Sequence, residues 1–307
     1  MVDWQLRVIR IAAFAGLLLG LGPAFCAEPV KRTVTVTDDR GRTVSFSTSP
    51  RRIVSLLPSL TETVCALGAC DRLVGVDDYS NWPERVKALP HVGGLEDAQV
   101  ETVVALRPDL VLAATSTRSV ARLEALGLPV LAIEPRSLAD LQRTIARLEQ
   151  ALATGQGAAL QARLDKDLAE ASRLLPPAAR GQRVYFEVSE APYAASEASF
   201  IGELLARLGV ANVVPASLGP FPKINPEFVV RADPQVIMTT AGPAAEIGQR
   251  PGWRRIEAVR TGRVCAFAAR EADLMVRPGP RLGEGLRLMA RCLDAAEPSS
   301  PLNRRAP

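Results

Sequence analysis

Between Gln156 and Leu175 the apolar residues Leu160, Leu164, Leu168, Ala171 and Leu175 recur at spacings of four and three, while Arg163, Asp165, Lys166, Asp167, Glu170 and Arg173 take the positions between them. A single apolar stripe on this period is an amphipathic helix. Gly155 and Gly157 separate it from a preceding helical pattern over 138–152, and Pro176-Pro177 cannot continue it. The pattern predicts a separate rod, roughly 30 Å long at 1.5 Å per residue.

The segments on either side of this rod repeat each other. Glu101-Thr-Val-Val-Ala-Leu-Arg-Pro108-Asp-Leu-Val-Leu112 precedes it and Glu227-Phe-Val-Val-Arg-Ala-Asp-Pro234-Gln-Val-Ile-Met238 follows it. In both, a glutamate opens a short helix, Val-Val follows at the same offset, a proline ends the helix and a β-branched run begins a strand. A second pair, Glu62 to Gly68 and Glu203 to Gly209, ends each helix at glycine. Two ordered pairs with a helix between them predict two similar lobes joined by a rod.

Read in order, Thr33 to Thr37 and Thr43 to Phe46 flank a glycine-containing turn as a hairpin. Arg52 to Leu57 is a buried strand, Pro58 to Leu67 a helix capped by Ser59 with Glu62 three residues on, and Leu73 to Val76 a strand. Strands at 110–114 and 130–133, with a helix at 119–126, complete the first lobe. The second has strands at 183–188, 235–239 and 263–267 and helices at 200–208 and 279–293. Alternating strands and helices predict an α/β fold: two lobes of mainly parallel sheet with flanking helices, joined by one long backbone helix.

Composition adds bounds. The chain's 307 residues suit two domains better than one core. A net charge of +4, scattered and without basic runs interleaved with aromatics, gives no footprint for nucleic acid. Arg7 and Arg10 precede an apolar run, Ile11 to Leu21, that is short for a membrane span; Gly22-Pro23 break it before small residues near Ala24 and Ala27. The expected organisation is a signal peptide over 1–27 directing soluble export to the periplasm, a lobe over 28–155, the linking helix over 156–177, a lobe over 178–296 and a disordered tail over 297–307. Acylation of Cys26 is the alternative to a cut signal, with Pro23-Ala24-Phe25 a poor lead-in for it.

Export makes disulfides plausible for the even set Cys65, Cys70, Cys265 and Cys292. Cys65 and Cys70 stand across Gly68 at a helix end, which would leave Cys265 with Cys292; spacing alone leaves the connectivity open. The spacings match no zinc pattern, and His91, the single histidine, reads as structural. No metal site or resident cofactor is expected.

Asp77-Asp-Tyr79-Ser-Asn-Trp82-Pro83 places two aromatics after a strand, where open α/β sheets bind ligands. Tyr79 is expected to face a ligand; Trp82 either does so or closes the lobe's edge. In the second lobe the loops holding Tyr193, Phe221 and Arg270 to Arg277 are expected to face Tyr79 across a cleft, with a packed proline-aromatic turn as the other reading of Phe221. Gly-x-Ser-x-Gly, phosphate-loop, Rossmann and His-Glu-x-x-His motifs are all missing. The chain is read as a binder and not an enzyme; a hydrolase, the distant alternative, would need an untemplated site from Ser189, Glu190 or Asp273.

Arg51-Arg-Ile-Val-Ser-Leu-Leu-Pro-Ser-Leu-Thr-Glu-Thr63, the run from Val74 to Pro83, Val100 to Val111 and Pro280-Arg281 resemble the periplasmic binding proteins of cobalamin and iron-siderophore ABC importers, the cobalamin binders above all. The resemblance runs from about Val34 to Leu293. It implies two lobes on one long helix, a small-molecule metal-chelate ligand, permease subunits as partners and a monomer. It implies further that Glu101 and Glu227 dock arginines of the paired permease subunits, although as helix-start residues both would also steady a helix dipole. Ligand contacts carried over are Tyr79, Trp82, Tyr193, Phe221, and Asp273 with Arg277 in an Asp-x-x-x-Arg pattern. Leu274 and Ala113-Ala114 stand where the cobalamin binders have tryptophans. Ferric siderophores are the alternative ligands, with Arg118, Arg270 or Arg277 meeting carboxylates or hydroxamates; haem ranks below them, since Tyr79 or Tyr193 would have to serve as axial ligand.

Overall fold

A computed structural model describes residues 33–190 and 192–294. The expected signal segment with Cys26 and the expected tail lie outside these residues. The hairpin is β1 (Val34–Thr37) and β2 (Thr43–Phe46), and the first lobe continues with β3 (Ile53–Ser55), α1 (Pro58–Ala66), β4 (Leu73–Val76), α2 (Val100–Ala105), β5 (Leu110–Ala113), α3 (Val120–Ala125), β6 (Val130–Ala132) and α4 (Leu138–Leu152). Its sheet runs β4-β3-β5-β6, all parallel. Successive residues of a strand point to opposite faces, which sorts the core into two layers. Ile53, Leu110, Leu112 and Leu131 face α1 and α4, whereas Val54, Val111 and Val130 face α2 and α3.

After α5 (Gly157–Arg173) the second lobe comprises β7 (Arg183–Ser189), β8 (Tyr193–Ala194), α6 (Phe200–Leu208), β9 (Ala211–Asn212), α7 (Pro226–Ala232), β10 (Val236–Thr239), α8 (Ala244–Ile247), α9 (Glu257–Arg260), β11 (Val264–Ala266), α10 (Ala269–Val276) and α11 (Leu282–Asp294). Its sheet runs β11-β10-β7-β8, with β9 also on β7; only the β8 pairing is antiparallel. The fold is thus α/β in two mainly parallel lobes.

The repeat is visible in the backbone. Arg107 and Asp233, each just before the proline that precedes a central strand, both take left-handed conformations, at φ 47° and 42°. Gly68 and Gly209 do the same at φ 81° and 74°, where a side chain would be strained.

The linking helix is shorter than the 156–177 stretch read from the sequence, about 25 Å at 1.5 Å per residue. Leu160, Leu164, Leu168 and Ala171 sit in one continuous core with Leu141, Ile145 and Leu148 of α4 on one side and Leu204 of α6 and Leu286 and Met289 of α11 on the other. Each leucine contributes about 1.5 to 3 kcal/mol on burial, so α5 is held by both lobes at once. At Gly283 a Cβ would lie 2.6 Å from that of Asp167, so α11 approaches α5 as closely as its glycine allows.

Two local expectations are corrected. Ser59 does not cap α1: Leu57 occupies the N-cap with no side-chain bond, Pro58 takes the first turn, and the Ser59 hydroxyl is buried without a partner. The loop expected over 270–277 is instead α10, closed by the Glu271 carboxylate accepting from the Ala268 N–H at 3.0 Å, with Arg277 as its C-terminal flank. Disulfides join Cys65 to Cys70 and Cys265 to Cys292.

The interlobe cleft as candidate ligand site

The carboxyl ends of β3, β5 and β6 converge with α6 and two second-lobe loops around a cavity of about 480 Å³. Its wall is mostly apolar, with Leu56, Leu57, Leu95, Phe200, Phe221 and Pro278 among the lining residues. Phe200 and Phe221 meet edge to face at 5.9 Å. The charged lining residues are Glu96, Glu134 and Arg136. Glu134 is held by hydrogen bonds from the Thr115 and Ser116 hydroxyls, and Arg136 lies 3.3 Å from it.

Beside this cavity the lobes are latched. Glu62, in α1 and almost fully buried, accepts from both Arg281 Nε and an Arg281 terminal nitrogen at 2.8 and 2.6 Å, and from Arg277 at 3.1 Å. Arg277 also donates to the Asn81 side-chain oxygen at 2.9 Å and to the Tyr79 carbonyl at 3.0 Å, and pairs with Asp273 at 2.7 Å. Asn81 donates back to Asp273 at 2.8 Å. The Arg281 guanidinium lies 4.8 Å over the Trp82 ring, a cation–π contact.

The aromatic loop is set from below. Asp77 is fully buried and accepts from the Tyr79 N–H at 2.9 Å and the Ser80 hydroxyl at 2.6 Å. Burial pushes its carboxyl above the ordinary range, with the Ser80 and Tyr79 hydrogen bonds and the charge of Arg277 opposing. The Thr61 hydroxyl links Ser80 to Ser55, tying the loop to α1 and β3.

Of the expected ligand contacts, the structure brings Phe221 into the cavity wall. Tyr79, Trp82 and Tyr193 are exposed at 57%, 47% and 41% and do not line it. Tyr193 pairs instead with Lys223, next to the Phe221 loop. Asp273 and Arg277 belong to the latch. The six thus divide between the cavity wall, the exposed surface and the latch. The sequence marks Glu62 only as a capping partner and a repeated helix residue, and Arg281 only as part of a motif. The available signal was a charged residue within the otherwise apolar and hydroxylated run Leu60-Thr-Glu-Thr-Val64.

Arg118 pairs with Glu96 at 3.4 Å. The Glu84 carboxyl is held below its usual range by Lys87, with the charge of Arg270 adding to the pull. Glu101, in the first turn of α2, pairs with Arg122 of α3 at 2.7 Å, and Glu227, in the first turn of α7, faces Arg231 at 3.9 Å; both glutamates are exposed. His91 bridges to Val76 and its ring lies 3.6 Å from Asp78. Among the described residues no group of three or more His, Cys, Asp or Glu is placed to hold a metal ion.

A family model described as "Periplasmic binding protein" matches residues 53–270. The chain belongs to that family. It is 31% identical over 272 residues to the uncharacterized ABC transporter substrate-binding lipoprotein YvrC of Bacillus subtilis, covering 85% of each chain. It is 30% identical over 193 residues to the vitamin B12-binding protein of Yersinia pestis, covering 62% of this chain and 69% of that one. Among solved structures, the periplasmic heme-binding protein RhuT from Roseiflexus superposes with a TM-score of 0.70 at 29% identity, over 80% of this chain and 98% of its own. Members of this family bind solutes for ABC importers, so the chain is a substrate-binding protein whose partners are a small-molecule ligand and permease subunits.

Proposed function

We propose that this periplasmic binding protein captures cobalamin or a related corrinoid in the interlobe cleft and delivers it to the membrane permease. The observation that carries the proposal is the donor set of the cavity. Its lining combines aliphatic, proline and phenylalanine side chains with a few hydroxyls and carboxylates, and contains no imidazole, thiol, thioether or phenol. Such a wall suits a flat metal macrocycle that brings its own ligands and presents apolar faces with a few polar side arms, as a corrinoid does. The cavity takes one edge of so large a ligand, and the exposed Tyr79, Trp82 and Tyr193 provide apolar surface for the remainder at the mouth.

Delivery rests on Glu101 and Glu227. Their equivalent places on repeated helices give one exposed carboxylate per lobe, an arrangement suited to two related permease subunits. The protein works in the periplasm after export, as a monomer, with the metal chelate as cargo and no cofactor of its own. The test is corrinoid affinity in Phe221→Ala and Tyr79→Ala variants. Loss of about tenfold or more in Phe221→Ala supports cleft binding, and unchanged affinity in both variants contradicts it.

A further inference from the structure

Of the arginines that an anionic chelate would call on in this cleft, all but Arg270 pair with a carboxylate. Arg277 and Arg281 converge on Glu62, Arg277 also on Asp273, Arg118 on Glu96 and Arg136 on Glu134. Arg270 adds its charge to that of Lys87 at Glu84. The cavity lining itself sets two carboxylates, Glu96 and Glu134, against the single guanidinium of Arg136. Exposed pairs such as Arg118 with Glu96 are weak, so it is the balance of charge and not the strength of each pair that a ligand meets. With each paired arginine counted, that balance is neutral at the latch and at the wall; the asymmetry at the wall is that its carboxylate Glu134 is the less exposed partner and its guanidiniums are largely exposed.

Glu134 is the fixed member of the wall. Its side chain is 25% exposed against 67% for Arg136, and the Thr115 and Ser116 hydroxyls hold its oxygens toward the end of β5. A carboxylate so placed accepts hydrogen bonds from amide N–H groups on a ligand and repels ligand carboxylates, which bring no donor and the wrong charge.

We infer that Glu134 is a specificity-determining residue that makes the cleft select neutral or cationic chelates bearing amide side arms and disfavour anionic ones. The inference rests on the cleft-binding reading above and narrows it to a charge class. One charge within about 7 Å, at an effective dielectric of about 40, changes affinity by roughly tenfold.

The experiment compares ligands that differ in one charged group. Cyanocobalamin is titrated beside its monocarboxylate, in which one propionamide has become propionate. Ferrioxamine B, cationic through its amine, is titrated beside the same chelate succinylated on that amine. Calorimetry is run on the wild-type protein, Glu134→Gln and Arg136→Met, with far-ultraviolet circular dichroism as the check on folding. Wild type is expected to favour the amide corrinoid by about tenfold, Glu134→Gln to bring the two forms near parity, Arg136→Met to widen the gap, and added salt to narrow it. Equal wild-type affinity for both corrinoids, or a ratio unmoved in both folded variants, overturns the inference. Should the hydroxamate chelates bind and the corrinoids not, the corrinoid reading falls by itself; preference for the cationic hydroxamate then upholds charge selection, and preference for the succinylated form overturns it.

Discussion

Glu62 of α1 and Arg281 of the second lobe form a two-point ion pair across the lobes, at 2.8 and 2.6 Å, and Arg281 carries the Trp82 ring 4.8 Å beneath its guanidinium. One nearly buried carboxylate thus fixes both the lobe spacing and one aromatic of the cleft mouth. Removing one partner of a buried pair leaves the other charge stranded, at a cost of about 3 to 5 kcal/mol. Glu62→Ala is expected to lower the urea midpoint accordingly and to shift the fluorescence of Trp82. A change below about 1 kcal/mol would show that the latch contributes little.

The longer disulfide should matter more than the shorter. Cys265 and Cys292 are 27 residues apart, Cys65 and Cys70 only 5. Loop-closure entropy assigns the first about 3 to 4 kcal/mol and the second about 2 kcal/mol. Urea unfolding of the two double-alanine variants checks the order; equal losses would point to effects in the folded state.

Part of the acid sensitivity should trace to the hairpin and its partner Glu124 on α3. The Arg40 hydrogen bond, aided by the charges of Arg40 and Arg42, holds Glu124 below its ordinary 4.5. At Asp38 burial pushes the carboxyl up, but hydrogen bonds from Arg40, Arg42 and Ala132 outweigh it and the net shift is below 3.8. Carboxyls depressed in the folded state stabilise it fully above their unfolded values and lose that contribution as pH falls through the depressed ones. Thermal melts should therefore drop on acidification past 4.5 and then past 3.8, and Arg40→Met should flatten the drop.

Glu101 and Glu227 separate binding from transport. Alanine at both positions is expected to leave ligand affinity unchanged and abolish uptake through the permease, because neither carboxylate lines the cavity. Lost affinity with normal docking is the contrary result.

Much of the fold was legible because it rests on local periodicity. The limits of α4, α6 and β4 coincide with the runs Leu138 to Leu152, Phe200 to Leu208 and Leu73 to Val76, where apolar spacing and a following turn agree. The repeated Arg107-Pro108 and Asp233-Pro234 steps carried the two-lobe architecture, and their shared left-handed backbone shows why the pattern recurs. Helix α10 is hidden behind the Asp273 and Arg277 pattern, although Ala269 to Met275, Asp273 apart, is composed of residues that favour helices. The site was legible at Phe221 and much less so elsewhere. Glu62 finds its arginines 215 and 219 residues further along the chain, and no local signal reports a pair at that distance. Glu134 likewise gains meaning only once β5 and β6 lie side by side and bring Thr115 and Ser116 to it.

The most direct test of corrinoid capture is a calorimetric titration of the exported protein with cyanocobalamin, read in parallel by corrin absorbance. Saturable one-to-one binding at micromolar affinity or tighter is the predicted result. No heat and no spectral change at ligand concentrations well above that range would contradict it, leaving a periplasmic binding protein whose cleft serves another chelate.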